Sequence, residues 1–503
     1  MSDSLRIAKN TLMLYFRQIL IMLVSLYTVR VVLSVLGAED YGIYNVVAGV
    51  VTMFGFLSGA MATASQRYFS FDLGKGDTER LKITFSVTFQ IYVLLALIIV
   101  FLAETLGLWF VNNKLVIPVE RMKAANWIFQ AAVVSFLFTL ITTPYMASII
   151  AHENMNVYAY VSIVEAGLKL GIVFLLRVLP YDKLIVYGIL LATVALINTS
   201  IYRLYCRSHY AECKARFVKD GALFKEIVGY SGWNLFGSVA SVVRNQGMTI
   251  LLNLFFGPIV NAARAVAAQV NAAILSFAQN FSTALRPQII KSYAAGEKNI
   301  MLRMVMYGTK IVFFLMLLIC VPLYFEVPYL INLWLKNVPE HTVAFVRLVI
   351  IDVLIDSISY PIMAIVQATG KIKLYQALVG GILILNLPVS YLFLKLGFTA
   401  EIVFIVAIVL SVVALFLRIL ISQKLIDFNL ILPFSKLLLL FVGMTVVASC
   451  VPALLINRFD SGFLWFILFV LISVAWCAMT EFLIGLNREE KRKVMEKLPW
   501  RGA

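Results

Sequence analysis

Residues 401–422 read EIVFIVAIVLSVVALFLRILIS, and no charged side chain interrupts the run between Glu401 and Arg418. A bilayer's hydrocarbon layer is ~30 Å thick and a helix rises ~1.5 Å per residue, so about 20 apolar residues cross it. Working outward from this stretch, comparable runs occupy 12–36, 41–64, 83–107, 124–150, 155–178, 184–205, 226–256, 261–284, 304–326, 343–369, 374–394, 434–455 and 462–485. Only helices and closed barrels satisfy every backbone polar group in lipid. These runs are too long and too evenly apolar for barrel strands. The chain reads as an all-α polytopic membrane protein of about 14 transmembrane helices.

Composition agrees. Hydrophobic residues make up 62% and charged residues 14%, against roughly 25% charged in soluble domains. The net charge of +16 would suggest nucleic acid in a soluble protein, but here position matters more than sum. Arg207, Lys214, Arg216, Lys219 and Lys225 crowd one loop, and Arg488, Lys491, Arg492, Lys493, Lys497 and Arg501 the tail, while turns such as Ala38-Glu39-Asp40 are short and poor in cations. The positive-inside rule puts both termini in the cytoplasm. The basic patches read as insertion signals and contacts with anionic lipid, not as a nucleic-acid site. The first apolar run is a full span without a small-residue cleavage site, so it is expected to stay as the first helix. Cys206, Cys213, Cys320, Cys450 and Cys477 lie in spans or on the inner side, which argues against disulfides. Cys206, His209 and Cys213 read as ordinary juxtamembrane residues rather than metal ligands.

The chain contains itself twice. Val35-Leu36-Gly37-Ala38 recurs in form as Phe255-Phe256-Gly257-Pro258, each a turn between two apolar helices. Ser65-Gln66-Arg67-Tyr68 matches Leu285-Arg286-Pro287-Gln288, followed by Gly74 and Gly296, and Pro144-Tyr145-Met146-Ala147 matches Pro361-Ile362-Met363-Ala364. Six spans per half make the repeat parallel, related by an axis along the membrane normal. The expected organisation is an N-terminal six-helix lobe at 1–206, a cytoplasmic linker at 207–224 and a C-terminal six-helix lobe at 225–425. Helices 13 and 14 follow at 426–487 and a basic cytoplasmic tail at 488–503. The last two helices either pad the bundle or line a groove for a lipid tail.

With duplicated halves, an early Arg30…Leu36-Gly37…Tyr41-Gly42 pattern, the Arg286-Pro287 segment and two extra helices, the chain resembles the multidrug/oligosaccharidyl-lipid/polysaccharide exporter superfamily. Within it, the O-antigen and capsular polysaccharide flippase branch is the nearer. The resemblance implies alternating access between two lobes. It also implies transport of undecaprenyl-pyrophosphate-linked oligosaccharide across a bacterial inner membrane, with that oligosaccharide, membrane lipids and polysaccharide assembly proteins as partners. No cofactor is implied. The coupling ion, proton or sodium, stays open.

Charges inside spans single out the candidate site. A charged residue at a helix centre costs ~2.5–3.5 kcal/mol on the insertion scale, so such residues face a cavity or a partner. Arg17, Arg30, Lys169, Arg244, Lys310 and Arg347 are the deeper cations; Arg177, Arg203, Arg264, Arg418 and Lys436 lie at span edges. Arg244 lies about 18 Å from the outer end of its helix, too deep for easy snorkelling. Arg244-Asn245-Gln246 forms a polar break with no acid one turn away. A cavity-lining role with Arg30 and Arg264, holding a pyrophosphate through guanidinium forks, is favoured over a structural pair with another helix. Arg30 and Arg264 are equally compatible with snorkelling, and snorkelling is preferred for Arg17 and Arg347. Glu165 and Lys169, four apart, are an internal pair or a substrate or coupling site. Asp352 and Asp356, also four apart, are an ion-coupling site or partners of Lys310 or an Arg. Pro144 and Pro361 are hinges or packing kinks.

The reading is a flippase. A cation-coupled drug antiporter and a lipid II flippase share the scaffold and remain alternatives. A membrane polymerase or ligase is the distant one: there is no Asp-x-Asp motif or P-loop, and there are three histidines, His152, His209 and His341.

Overall fold

The computed structural model describes residues 3–52, 54–115, 117–335, 338–456 and 462–497. Every element among them is helical. Helix α1 spans Asp3–Thr52 and turns at Gly37, α2 spans Gly55–Lys75 and α3 Thr78–Leu102. A π-helical turn, Ala103–Gly107, leads into α4, Leu108–Asn113. Then come α5 at Met122–Ala151, α6 at Met155–Val178 and α7 at Lys183–His209. The second half holds α8 at Gly221–Phe256, α9 at Pro258–Ala294, α10 at Lys298–Trp334, α11 at Thr342–Thr369, α12 at Lys373–Lys395 and α13 at Ile402–Ile426. Helices α14 at Ile431–Leu455 and α15 at Phe463–Thr480 follow, then α16 at Arg488–Lys497.

Eleven helices among the described residues are long and apolar enough to cross a membrane. They coincide with all the expected spans except 12–36, 41–64 and 226–256, which run through α1, α2 and α8. Large apolar side chains point outward, as lipid requires: Leu439 is 76% exposed. The protein is a polytopic membrane protein.

Local chemistry starts and stops the helices. Asp77 accepts the Arg80 amide at 2.8 Å and so caps α3; Asp182 does the same for α7 with the Leu184 and Ile185 amides. Left-handed residues close the turns at repeat spacing. Gly37 has φ 81° and Gly257 φ 80°; Gly76 has φ 70° and Gly296 φ 79°. This corrects one repeat match. Gly296 corresponds to Gly76, which adopts the left-handed backbone that favours glycine. Gly74 lies inside α2 and serves another purpose, since a β-carbon there would stand 2.6 Å from the Lys291 backbone.

The chain forms two compact units. One comprises Met1–Val239 and Thr283–Met301, the other Ala240–Ser282 and Leu302–Ala503. Helices α8 and α9 therefore each contribute to both. In the first unit, Val32, Ile128, Phe129, Val173 and Leu184 pack α1, α5, α6 and α7 together. Phe69, Phe85, Tyr145 and Tyr202 join α2, α3, α5 and α7. In the second unit, Phe441 of α14 stacks on Phe313 of α10 at 3.8 Å, and Trp476 of α15 donates to the Val447 carbonyl of α14 at 2.9 Å. The two extra helices are thus packed onto the second unit.

Candidate functional site

Each unit holds a cluster of the polar residues singled out above. In the first, a cavity of about 400 Å³ opens among α1, α5, α6 and α7. Arg17, Tyr158, Glu165, Lys169, Asn198 and Tyr202 line it, with Ser135, Thr139, Thr142 and Ser162 adding hydroxyls. Glu165 accepts from Lys169 at 2.6 Å and from Asn198 at 3.1 Å, so the cavity's acid is already neutralised by its neighbour one turn on. Arg17 is different. Its guanidinium lies 4.4 Å from the Tyr158 ring centroid, its Nε is buried without a hydrogen-bond acceptor, and no carboxylate among the described residues is within ion-pairing distance. The sequence favours snorkelling for Arg17. The fold instead packs this stretch of α1 against α5 and α6 and places its guanidinium on the cavity wall.

The second unit brings together most of the remaining predicted residues. Arg244 of α8 donates to Asp352 of α11 at 2.9 Å, with the two side chains 12% and 14% exposed. The sequence shows no acid near Arg244 along its own helix; the partner arrives from a helix 108 positions later. Arg264 of α9 is buried and donates to the Asn245 side-chain oxygen at 3.2 Å. Its Nε finds no acceptor and no carboxylate pairs with it among the described residues. Asp356, one turn after Asp352, lies 3.7 Å from Arg418 of α13, which also donates to Ser359 at 2.8 Å and Tyr375 at 3.2 Å. Three guanidiniums and two carboxylates therefore share this region, an excess of one positive charge. Asp352 Oδ1 and Arg264 Nε are its buried, unmatched acceptor and donor.

Other predicted residues are placed elsewhere. The Arg30 side chain lies outside the described residues. Gln246 is exposed on α8. Lys310 pairs with Glu490 of α16, and Arg347 donates to the Tyr324 carbonyl at 3.2 Å. Pro144 and Pro361 are buried inside the continuous helices α5 and α11. Sequence reasoning missed Asn198, Tyr158 and Tyr202. Single polar residues in apolar helices carry no periodic signal, and only the folding of α5, α6 and α7 around one space groups them.

The sequence matches the profile of a family described as polysaccharide biosynthesis protein over residues 7–295, more than half of the chain. The chain belongs to that family. No curated protein matches the sequence. Solved structures share the fold of this chain at low identity. An outward-facing multidrug resistance MATE family transporter of the MOP superfamily is 14% identical, with a TM-score of 0.71 over 83% of this chain and 96% of its own. A variant of a Vibrio cholerae MATE transporter is 18% identical, with a TM-score of 0.65 over 85% and 98%. A MOP superfamily transporter from Pyrococcus furiosus is 13% identical, with a TM-score of 0.68 over 83% and 96%. That last protein is described as having a binding pocket of reverse polarity that suggests a different function. The family match and the fold shared with MOP superfamily transporters agree with the resemblance read from the sequence.

Proposed function

We propose that the chain is a flippase that moves undecaprenyl-pyrophosphate-linked oligosaccharide across a bacterial inner membrane by alternating access, feeding O-antigen or capsule assembly. Both termini would be cytoplasmic, where the basic loop and tail belong. The work is transport, not bond chemistry. The polysaccharide biosynthesis family supports the cargo class. The observation that carries the reading is Arg17: a cation among apolar helices, lining a cavity of about 400 Å³, with no carboxylate at ion-pairing distance among the described residues. Such a group is costly in a membrane protein unless a polar or anionic ligand meets it. A pyrophosphate supplies paired oxygens that fit a guanidinium fork. Hydroxyls of Ser135, Thr139 and Thr142 offer exchangeable contacts to sugar. In the second unit, Arg264 has the same character, with Asn245 beside it, whereas Arg244 already has an acid.

The test is rescue of surface polysaccharide in a host lacking its own O-unit flippase. Arg17→Ala at unchanged protein level should lower rescue by about tenfold or more, the scale of one lost charged hydrogen bond. Arg17→Lys should keep part of it. Full rescue by Arg17→Ala would refute the site. The fold's likeness to MATE transporters, with Glu165, Asp352 and Asp356 set among cations, favours one second reading: a cation-coupled drug antiporter. Drug efflux without polysaccharide rescue would select it.

A further inference from the structure

Glu153 closes α5 with a left-handed backbone, φ 62°. Its amide donates to Ile150 and the next amide to Ile149, the hydrogen-bond pattern of a helix C-terminus at which glycine is usual because a β-carbon disfavours that conformation. The matching turn of the second half obeys this rule. Gly370 stands 217 positions later, closing α11 with φ 73°. The first half instead keeps a charged residue there and buries it to 4% exposure. Strained backbone and buried charge in one residue point to a role for its carboxylate.

That carboxylate is fully engaged. Lys291 donates to one oxygen at 2.7 Å and Gln288 to the other at 2.8 Å, both from the last turns of α9. Asn10 of α1 donates to the Glu153 backbone carbonyl at 3.2 Å. On the neighbouring side, α2 and α9 meet through a stripe one helical turn apart: Gln66 accepts from Arg286 at 3.3 Å, Ser70 is fully buried, and Gly74 lets the Lys291 backbone come into contact. A segment from the second sequence half is thereby held against the first, and Glu153 is the acid in that contact.

We propose that Glu153 is a latch on the cytoplasmic side of the transport cycle. While it holds Lys291 and Gln288, the end of α9 stays seated on α2 and on the α5–α6 turn; its release frees that end to move and admits cargo from the cytoplasm. The proposal rests on the transport reading above. The asymmetry with Gly370 makes the device one-sided: the first half carries the acid and the second half the plain turn.

The test places a cysteine at Ser70, an isosteric change, and measures its modification by a membrane-impermeant maleimide in inside-out vesicles, against the same chain without it. Glu153→Asn keeps a residue that tolerates the left-handed backbone but removes the charge. Modification should become about ten- to hundredfold faster, the range expected for losing charged hydrogen bonds that hold a local closed state. Combining Glu153→Lys with Lys291→Glu should restore slow modification, which general loosening would not do. An unchanged rate with Glu153→Asn overturns the latch, and so does failure of the swapped pair to restore protection. Should Glu153→Asn fail to fold, Glu153→Gln carries the same expectation. Labelling needs no cargo, so its outcome stands apart from polysaccharide rescue.

Discussion

Removing Asp352 should harm the protein more than removing Arg244, although the two form one ion pair. The pair is held at 2.9 Å with side chains only 12% and 14% exposed. Arg244→Ala leaves a carboxyl group that can escape the cost of burial by taking up a proton. Asp352→Ala leaves a guanidinium that cannot discharge, because arginine stays protonated in proteins. Breaking a buried pair by deleting one partner costs about 3–5 kcal/mol, and the residual exposure here puts Asp352→Ala near the lower end. Arg244→Ala should cost about 1–2 kcal/mol, the scale of one unmet polar group. The double variant should cost less than the two singles together, since neither charge is then stranded, with a coupling of about 1–3 kcal/mol. The assay is thermal inactivation of detergent-solubilised protein for the three variants, with polysaccharide rescue measured in parallel. Equal and additive single effects would show that Asp352 does not hold Arg244. A stable Arg244→Ala that loses all transport, beside a harmless Asp352→Ala, would return Arg244 to cargo binding and refute the pairing argument.

Two further outcomes follow from local geometry. A β-carbon on Gly247 would lie 2.1 Å from a terminal methyl of Leu387, so Gly247→Ala should destabilise by about 1–3 kcal/mol, and Leu387→Ala on top of it should recover most of the loss in the same thermal assay. Burial pushes the Asp182 carboxyl up, but hydrogen bonds from Arg121 and from the Ile185 and Leu184 amides together pull it below the usual carboxylate range. A depressed folded value means that its contribution is present above the ordinary carboxylate pKa and disappears as pH falls through the lowered one. The stability gap between the native chain and Asp182→Asn should therefore persist at pH 6 and close only in strong acid, and a gap that widened on acidification would contradict the Arg121 contact.

Much of the fold was legible because the bilayer imposes a length and an apolarity that a helix must meet residue by residue. The run at 401–422 became α13, and the repeat matched turn to turn at Gly37 and Gly257. The repeat also shows where pattern matching slips: Gly74 and Gly76 look interchangeable in the sequence, but Gly76 bends the backbone and Gly74 makes room for α9. The site was legible only in part. Deep charges were the right residues to inspect, because each needs a reason to be there. That Asp352 and Asp356 could pair with an arginine was legible, but not which one, since Arg244 meets Asp352 across 108 positions; nor was the meeting of Arg264 with Asn245 from a separate helix.

Hydrophobic run length, the alternation of charge between loops and the internal duplication were enough to establish a helical membrane protein with twin halves, because these are one-dimensional properties that the solvent reads directly. Which cations stay unbalanced is a three-dimensional property. Arg17 faces a cavity, Arg244 an acid and Lys310 the α16 helix through the packing of distant segments. Charge pairing acts over a few ångströms, and the chain order of a helical bundle says little about which side chains come that close.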